Sequence, residues 1–122
     1  MVYKGHNSML MADLLTHPTR SIITQSYASK ERVQSNLNGD GFGVGWYLPS
    51  EDPVSAKEDP RVPCVFTSVT PAWNNLNLKR LARTVSSPLI FAHVRAAMPG
   101  MLVTEANCHP FQCGRFMFMH NG

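Results

Sequence analysis

Asn38-Gly39-Asp40-Gly41-Phe42-Gly43-Val44-Gly45 runs directly into Trp46-Tyr47-Leu48, and the reading of this stretch decides the fold. Glycine stands at every second position. In an extended strand successive side chains alternate between faces, so Gly39, Gly41, Gly43 and Gly45 all point one way and leave that face bare. A neighbouring element or a substrate can then approach the backbone closely. The stretch is not a dinucleotide fingerprint. Counted from Gly39 or Gly41, the third glycine of G-x-G-x-x-G falls on Val44 or Trp46. Nor does Gly-Lys-Ser/Thr follow, so it is not a phosphate loop.

Upstream, Val2-Tyr3-Lys4 reads as the tail of a strand. Ser8 is a candidate N-cap for a helix carrying Met9, Leu10, Met11, Leu14 and Leu15, which must stop before Pro18. Ser21 to Tyr27 supplies another helical turn or two. Downstream, Pro49, Pro53 and Pro60 among Ser, Glu and Asp mark 49–61 as a surface loop. Val62 to Val69 reads as a strand. Leu76 to Val85 follows as an amphipathic helix, with Leu76, Leu78, Leu81, Ala82 and Val85 turned inward. Leu89 to Val94 is a short apolar strand, 97–109 a loop, and Arg115 to His120 a last strand. Repeats and low-complexity tracts are absent from the sequence.

Composition fits one globular domain. The 122 residues are 43% hydrophobic and 16% charged, with a formal net charge of +3, enough for one core and too few for two. Lys79, Arg80 and Arg83 form the only tight basic cluster, which reads as a solvated helix face rather than a nucleic-acid footprint. Three cysteines without an apolar leader argue for a reducing, cytoplasmic setting and against a disulfide framework. No run is long enough to span a bilayer.

Three segments carry chemistry. Phe91-Ala92-His93-Val94-Arg95 is an apolar strand with an arginine at the mouth of a loop. Arginine there can grip a carboxylate with two parallel hydrogen bonds, or serve a structural ion pair. Glu105 to Phe111, with Cys108 and His109, places polar groups on a loop beside an aromatic. Phe116 to Gly122 ends in Asn121-Gly122, a side-chain amide and a backbone N–H that could together hold an oxyanion, or could form a hairpin turn. Cys108, His109, Cys113 and His120 could be imagined as metal ligands, but their spacing lacks the two close ligand pairs of structural zinc sites. No metal is expected.

In order and spacing these segments resemble the class II glutamine amidotransferases, members of the N-terminal nucleophile hydrolases. Tyr3-Lys4-Gly5, Asn38 to Tyr47, His93 to Ala97, His109-Pro110-Phe111 and His120-Asn121-Gly122 carry the likeness. The stand-alone γ-glutamyl hydrolases of glutathione breakdown and ergothioneine synthesis look nearest. The resemblance implies an α+β fold, a four-layer αββα sandwich of mainly antiparallel sheets, of which residues 1–122 would be an incomplete, N-terminal portion. It implies that Arg95 binds the substrate α-carboxylate, and that Asn121 and Gly122 form the oxyanion hole. His93, His109, Gly41 and Gly43 would line the substrate pocket. It implies a small γ-glutamyl ligand and no cofactor; a homo- or hetero-oligomer is compatible with it.

The family opens Met-Cys-Arg, and that cysteine attacks the γ-carbonyl with its own α-amine as base. This chain opens Met1-Val2-Tyr3, and Cys64, Cys108 and Cys113 lack a free α-amine. The expectation is a chain that binds without turnover, truncated at both ends and marginally stable. Leu89–Val94 and Phe116–Met119 would then lack strand partners on at least one edge. Hydrolysis by a longer parent protein is the main reading, and an inactive ligand- or partner-binding form is the alternative.

Overall fold

A computed structural model describes residues 1–29, 37–49 and 62–121. Gly122, and the loop expected over 49–61 apart from Pro49, lie outside them. In chain order the elements are β1 (Val2–Leu10), α1 (Met11–Leu15), α2 (Ile22–Tyr27), β2 (Phe42–Trp46), β3 (Cys64–Ser68), α3 (Leu76–Ala82), β4 (Ser86–Val94), β5 (Phe111–Cys113) and β6 (Phe116–Phe118). Single 3₁₀ turns sit at Ala72–Asn74 and Glu105–Asn107. A four-stranded sheet has the order β1-β4-β2-β3, and β5 pairs with β6. All these pairings are antiparallel. The chain is α+β with mainly antiparallel strands, as the sequence implied.

The alternation in β2 separates two environments. Phe42 and Val44 bury their side chains with Met11 and Leu15 of α1, Leu78 and Ala82 of α3, and Ile90 and Ala92 of β4. Each fully buried side chain of the size of Leu, Ile or Phe contributes roughly 1.5–3 kcal/mol. The opposite face belongs to the glycines. A Cβ at Gly41 would lie 2.6 Å from Cys108 Sγ, one at Gly43 would strike the His109 carbonyl, and one at Gly45 would strike Met117 Sδ. The bare face is therefore filled by Cys108–Pro110 and by β6. Gly39 faces the Trp73 ring instead.

Three expectations change. Ser8 is not an N-cap: it lies in β1, because Met9 and Leu10 pair with Ser87 and Ser86 past a bulge after Lys4. The helix starts at Met11, whose N–H donates to Val85 O at 2.8 Å. Strand pairing outweighs local capping there. Leu76 is 58% exposed, because Leu78 and Ala82, four apart, set the buried stripe of α3 and Leu76 falls on the other side. The 89–94 strand is longer than expected and lacks no partner, since β4 is central, between β1 and β2. Phe111–Cys113, to which the sequence reading assigned no element, is a further strand, turning into β6 through Gly114 at φ +54°. The apolar strand left uncovered is β6, where Phe116 and Phe118 are 64% and 61% exposed.

Asn75 starts α3 as the sequence rules favour, its Oδ1 accepting the Leu78 N–H at 2.8 Å while its Nδ2 donates to Thr70 Oγ1 at 3.0 Å. Asn75→Ala should cost about 1 kcal/mol. That corresponds to a melting temperature lower by about 4 °C for a domain of this size. A thermal melt of the variant checks this, and an unchanged midpoint would show that the cap contributes nothing.

Candidate functional site

The first residue, the end of β4 and the segment after β6 meet around one cavity. It has a volume of about 360 Å³ and is lined by Met1, Ile22, Gln25, Asn38, His93, Val94, Met119, His120 and Asn121. β4 brings His93 and Val94 to it, and α2 brings Ile22 and Gln25. Met1 enters because β1 pairs with β4 from Val2 onward. The Met1 α-amine donates to Ala92 O at 2.7 Å, and burial lowers its pKa.

Of the residues singled out in the sequence, Asn121, His93 and His120 converge on this cavity. His109 lies directly behind them. It is 8% exposed, and its Nδ1 is 3.3 Å from His93 Nε2. The His109 ring meets three others edge-on: His93 at 4.5 Å between centroids, Phe111 at 4.4 Å and His120 at 4.6 Å. His93 Nδ1 is buried with no hydrogen-bond partner among the described residues. Desolvation, and next the neighbouring His109, lower the His93 pKa from 6.5 to about 4. Burial, then the His120 and Arg95 charges, lower that of His109. Both rings are neutral at pH 7, so they wall the cavity as polar but uncharged groups.

Arg95 and the two glycines are not among the residues that line this cavity. Arg95 is 6% exposed and is not among the cavity-lining residues. Its guanidinium donates to Asp40 O at 3.3 Å and to Leu102 O at 3.2 Å. Asp40 completes the clasp, its Oδ2 accepting the Ala97 N–H at 2.8 Å. The arginine therefore ties the loop after β4 to the turn before β2. Gly41 and Gly43 are covered by Cys108 and His109 and do not line the cavity. Of the two uses open for the bare face, the structure fills it with another protein layer. Asp40 escaped notice in the sequence because it stood among glycines and its work is done on a backbone N–H. Met1 escaped notice because its contact is made by its α-amine rather than its side chain.

No cysteine lines the cavity. Cys108 is buried, with Sγ 3.6 Å from Ser68 O and 3.5 Å from Thr104 O, and burial raises its pKa. It is an inert thiol rather than a nucleophile. Among the described residues no three His, Cys, Asp or Glu side chains are grouped to hold a metal ion.

This arrangement, with Asn121 and Met1 lining one cavity, can be set beside known sequences. The family described as class-II glutamine amidotransferases matches residues 9–122. The chain belongs to that family. A probable glutamine amidotransferase of Saccharomyces cerevisiae, DUG3, is 45% identical over 124 residues, which cover 100% of this chain and 33% of the yeast protein. The gamma-glutamyl-hercynylcysteine sulfoxide hydrolase of Mycolicibacterium smegmatis is 29% identical over 112 residues, 92% of this chain and 45% of that protein. The protein of the same name from Mycobacterium tuberculosis is also 29% identical, over 92% of this chain and 43% of its own length. This class-II glutamine amidotransferase chain thus spans between a third and a half of the curated relatives it matches. Among its described residues no helix is long and apolar enough to cross a membrane.

Proposed function

We propose that residues 1–122 form the N-terminal portion of a type-2 glutamine amidotransferase domain whose reaction is hydrolysis of a γ-glutamyl amide bond. The substrate is a small cytoplasmic γ-glutamyl compound, and no nucleic acid or cofactor takes part. Asn121 supplies the side-chain donor to the oxyanion and Gly122 the backbone donor. Arg95 serves the substrate carboxylate. Its two bonds to carbonyls leave further N–H groups for that task. The observation that supports the reading best is the cavity shared by Asn121 and the start of β1. In the N-terminal nucleophile mechanism an attacking group carried at the start of that strand must face the oxyanion donors.

A second reading concerns the 122-residue polypeptide itself. All three of its cysteines lie off the cavity, which favours binding without turnover. Titrating the ¹⁵N-labelled chain with γ-glutamyl dipeptide should shift the His93, His120 and Asn121 signals together. Asn121→Ala should weaken binding about tenfold, the loss of about 1.4 kcal/mol expected for one hydrogen bond to a polarised carbonyl. Binding that leaves all three signals in place would exclude this cavity as the ligand site.

A further inference from the structure

The cluster behind the cavity does more than fill space. His109 joins three parts of the molecule. Its backbone packs on Gly43 of β2, its Nδ1 meets His93 of β4, and its ring edge meets His120. His120 directly precedes Asn121, and its ring also stacks on Phe118 of β6 at 5.9 Å. The segment from His120 to Asn121 is exposed, and His120 ties it toward the buried sheet twice, by its ring on His109 and by its main chain on His93.

We infer that His93, His109 and His120 are positioning residues for Asn121, a stack that holds the asparagine at the cavity only while its buried rings are uncharged. The inference rests on the proposed reading only for why Asn121's place matters; the latch itself needs no ligand.

Three features make the stack intolerant of protons. First, one of the two facing nitrogens of His93 and His109 must lack a hydrogen, whichever ring donates. With both rings protonated the 3.3 Å contact becomes donor against donor. Second, where His93 Nε2 is the donor, a further proton on His93 goes to Nδ1, which is buried without an acceptor among the described residues and becomes an unbonded buried N–H. Third, the charges acting on the two rings are cationic. His93 faces the Met1 α-amine from β1, His109, and His120 after β6, while His109 feels His120 and Arg95. β2 offers no ionisable side chain between Phe42 and Trp46. The nearby carboxylates are engaged otherwise: Asp40 accepts from Ala97, and Glu105 acts on Cys108. Only the main chain of His120 pulls the His93 proton affinity upward.

The sign follows from these shifts. Both buried rings bind a proton less readily in the fold than in the unfolded chain. The latch is therefore intact above the ordinary histidine range and fails as pH falls from 6.5 toward about 4. The two rings titrate as a coupled set.

The test follows histidine ring and Asn121 signals of the full chain by NMR from about pH 7.5 to about pH 4, spanning the ordinary histidine range and below. The His93 ring should titrate at about 4 and the His109 ring below the ordinary histidine value, and the Asn121 side-chain amide should shift together with them. In His109→Phe, which keeps an aromatic edge but cannot take a proton, the Asn121 signal should no longer follow that midpoint. If the variant does not fold, the wild-type titration decides. Histidines titrating independently near 6.5, or an Asn121 amide unmoved through the transition, overturn the latch. Failure of γ-glutamyl binding with the coupled titration intact would instead overturn the reading of the cavity.

Discussion

Gly43→Ala should be the most damaging single-methyl change in the chain. The added Cβ would meet the His109 carbonyl, with the Thr67 side chain 2.9 Å away. The obstacle is the His109 backbone, and Gly43 itself is fixed on a strand paired on both sides, to Thr67 and to His93. Neither neighbour can swing aside as a flexible side chain would. Relief requires lifting the Cys108–Pro110 segment off the sheet, which also opens the His109–His93 contact. Overpacking of this kind costs roughly 3 kcal/mol or more. The melting temperature should therefore fall by about 12 °C or more, if the variant folds at all. Lys79→Ala, on the exposed face of α3, is the control and should stay within about 0.5 kcal/mol of wild type. A Gly43→Ala midpoint within about 3 °C of wild type, less than a 1 kcal/mol change would give, would mean the two layers are looser than the distances imply.

The second large effect is a gain of catalysis. The 122-residue polypeptide should release no measurable glutamate from glutamine or a γ-glutamyl dipeptide. The same residues joined to an N-terminal segment opening Met-Cys-Arg, and to the C-terminal portion of the yeast relative, should do so once the cysteine is exposed. The reason is division of labour. Binding groups and oxyanion donors lower the barrier only for a nucleophile that is present, and Met1, Cys64, Cys108 and Cys113 supply none at the cavity. Within the chimera, Cys→Ser at the new terminus should cut the rate by roughly 10³-fold or more. Asn121→Ala should cut it by about 10²–10³-fold, the usual effect of losing one oxyanion donor. A well-folded chimera that stays inert would end the hydrolytic reading and leave the binding one.

How much of this was legible beforehand depended on what kind of signal each element carried. The glycine alternation announced β2 and its bare face, because a period of two without side chains fits an extended strand and little else. It could not say what fills that face, since Cys108–Pro110 lies far downstream in the chain. The start of α1 was misread at Ser8, where a good local cap lost to pairing with β4. Leu76 was misread because a helix stripe was extended beyond its true register. β5 is three residues long, too short for any periodicity to register. For the site, Asn121 and His93 were visible as residues of the right kind at strand ends. The Asp40–Ala97 bond and the His93–His109 contact were not, because both join segments that only the folded sheet brings together.

The order of strands sets a timetable for synthesis. β1 forms its ladder with β4, Val2 opposite Phe91, so Val2 has no mate until 89 residues later (91 − 2 = 89). At ribosomal speeds of roughly 5–20 residues per second, that is a wait of about 4–18 s. Throughout it, Val2 to Leu10 is a nascent segment with an unsatisfied ladder, open to capture by chaperones or by a neighbouring nascent chain. Slowing translation between Ser21 and Ser86 should lower the yield of folded protein, whereas slowing it after Val94 should not.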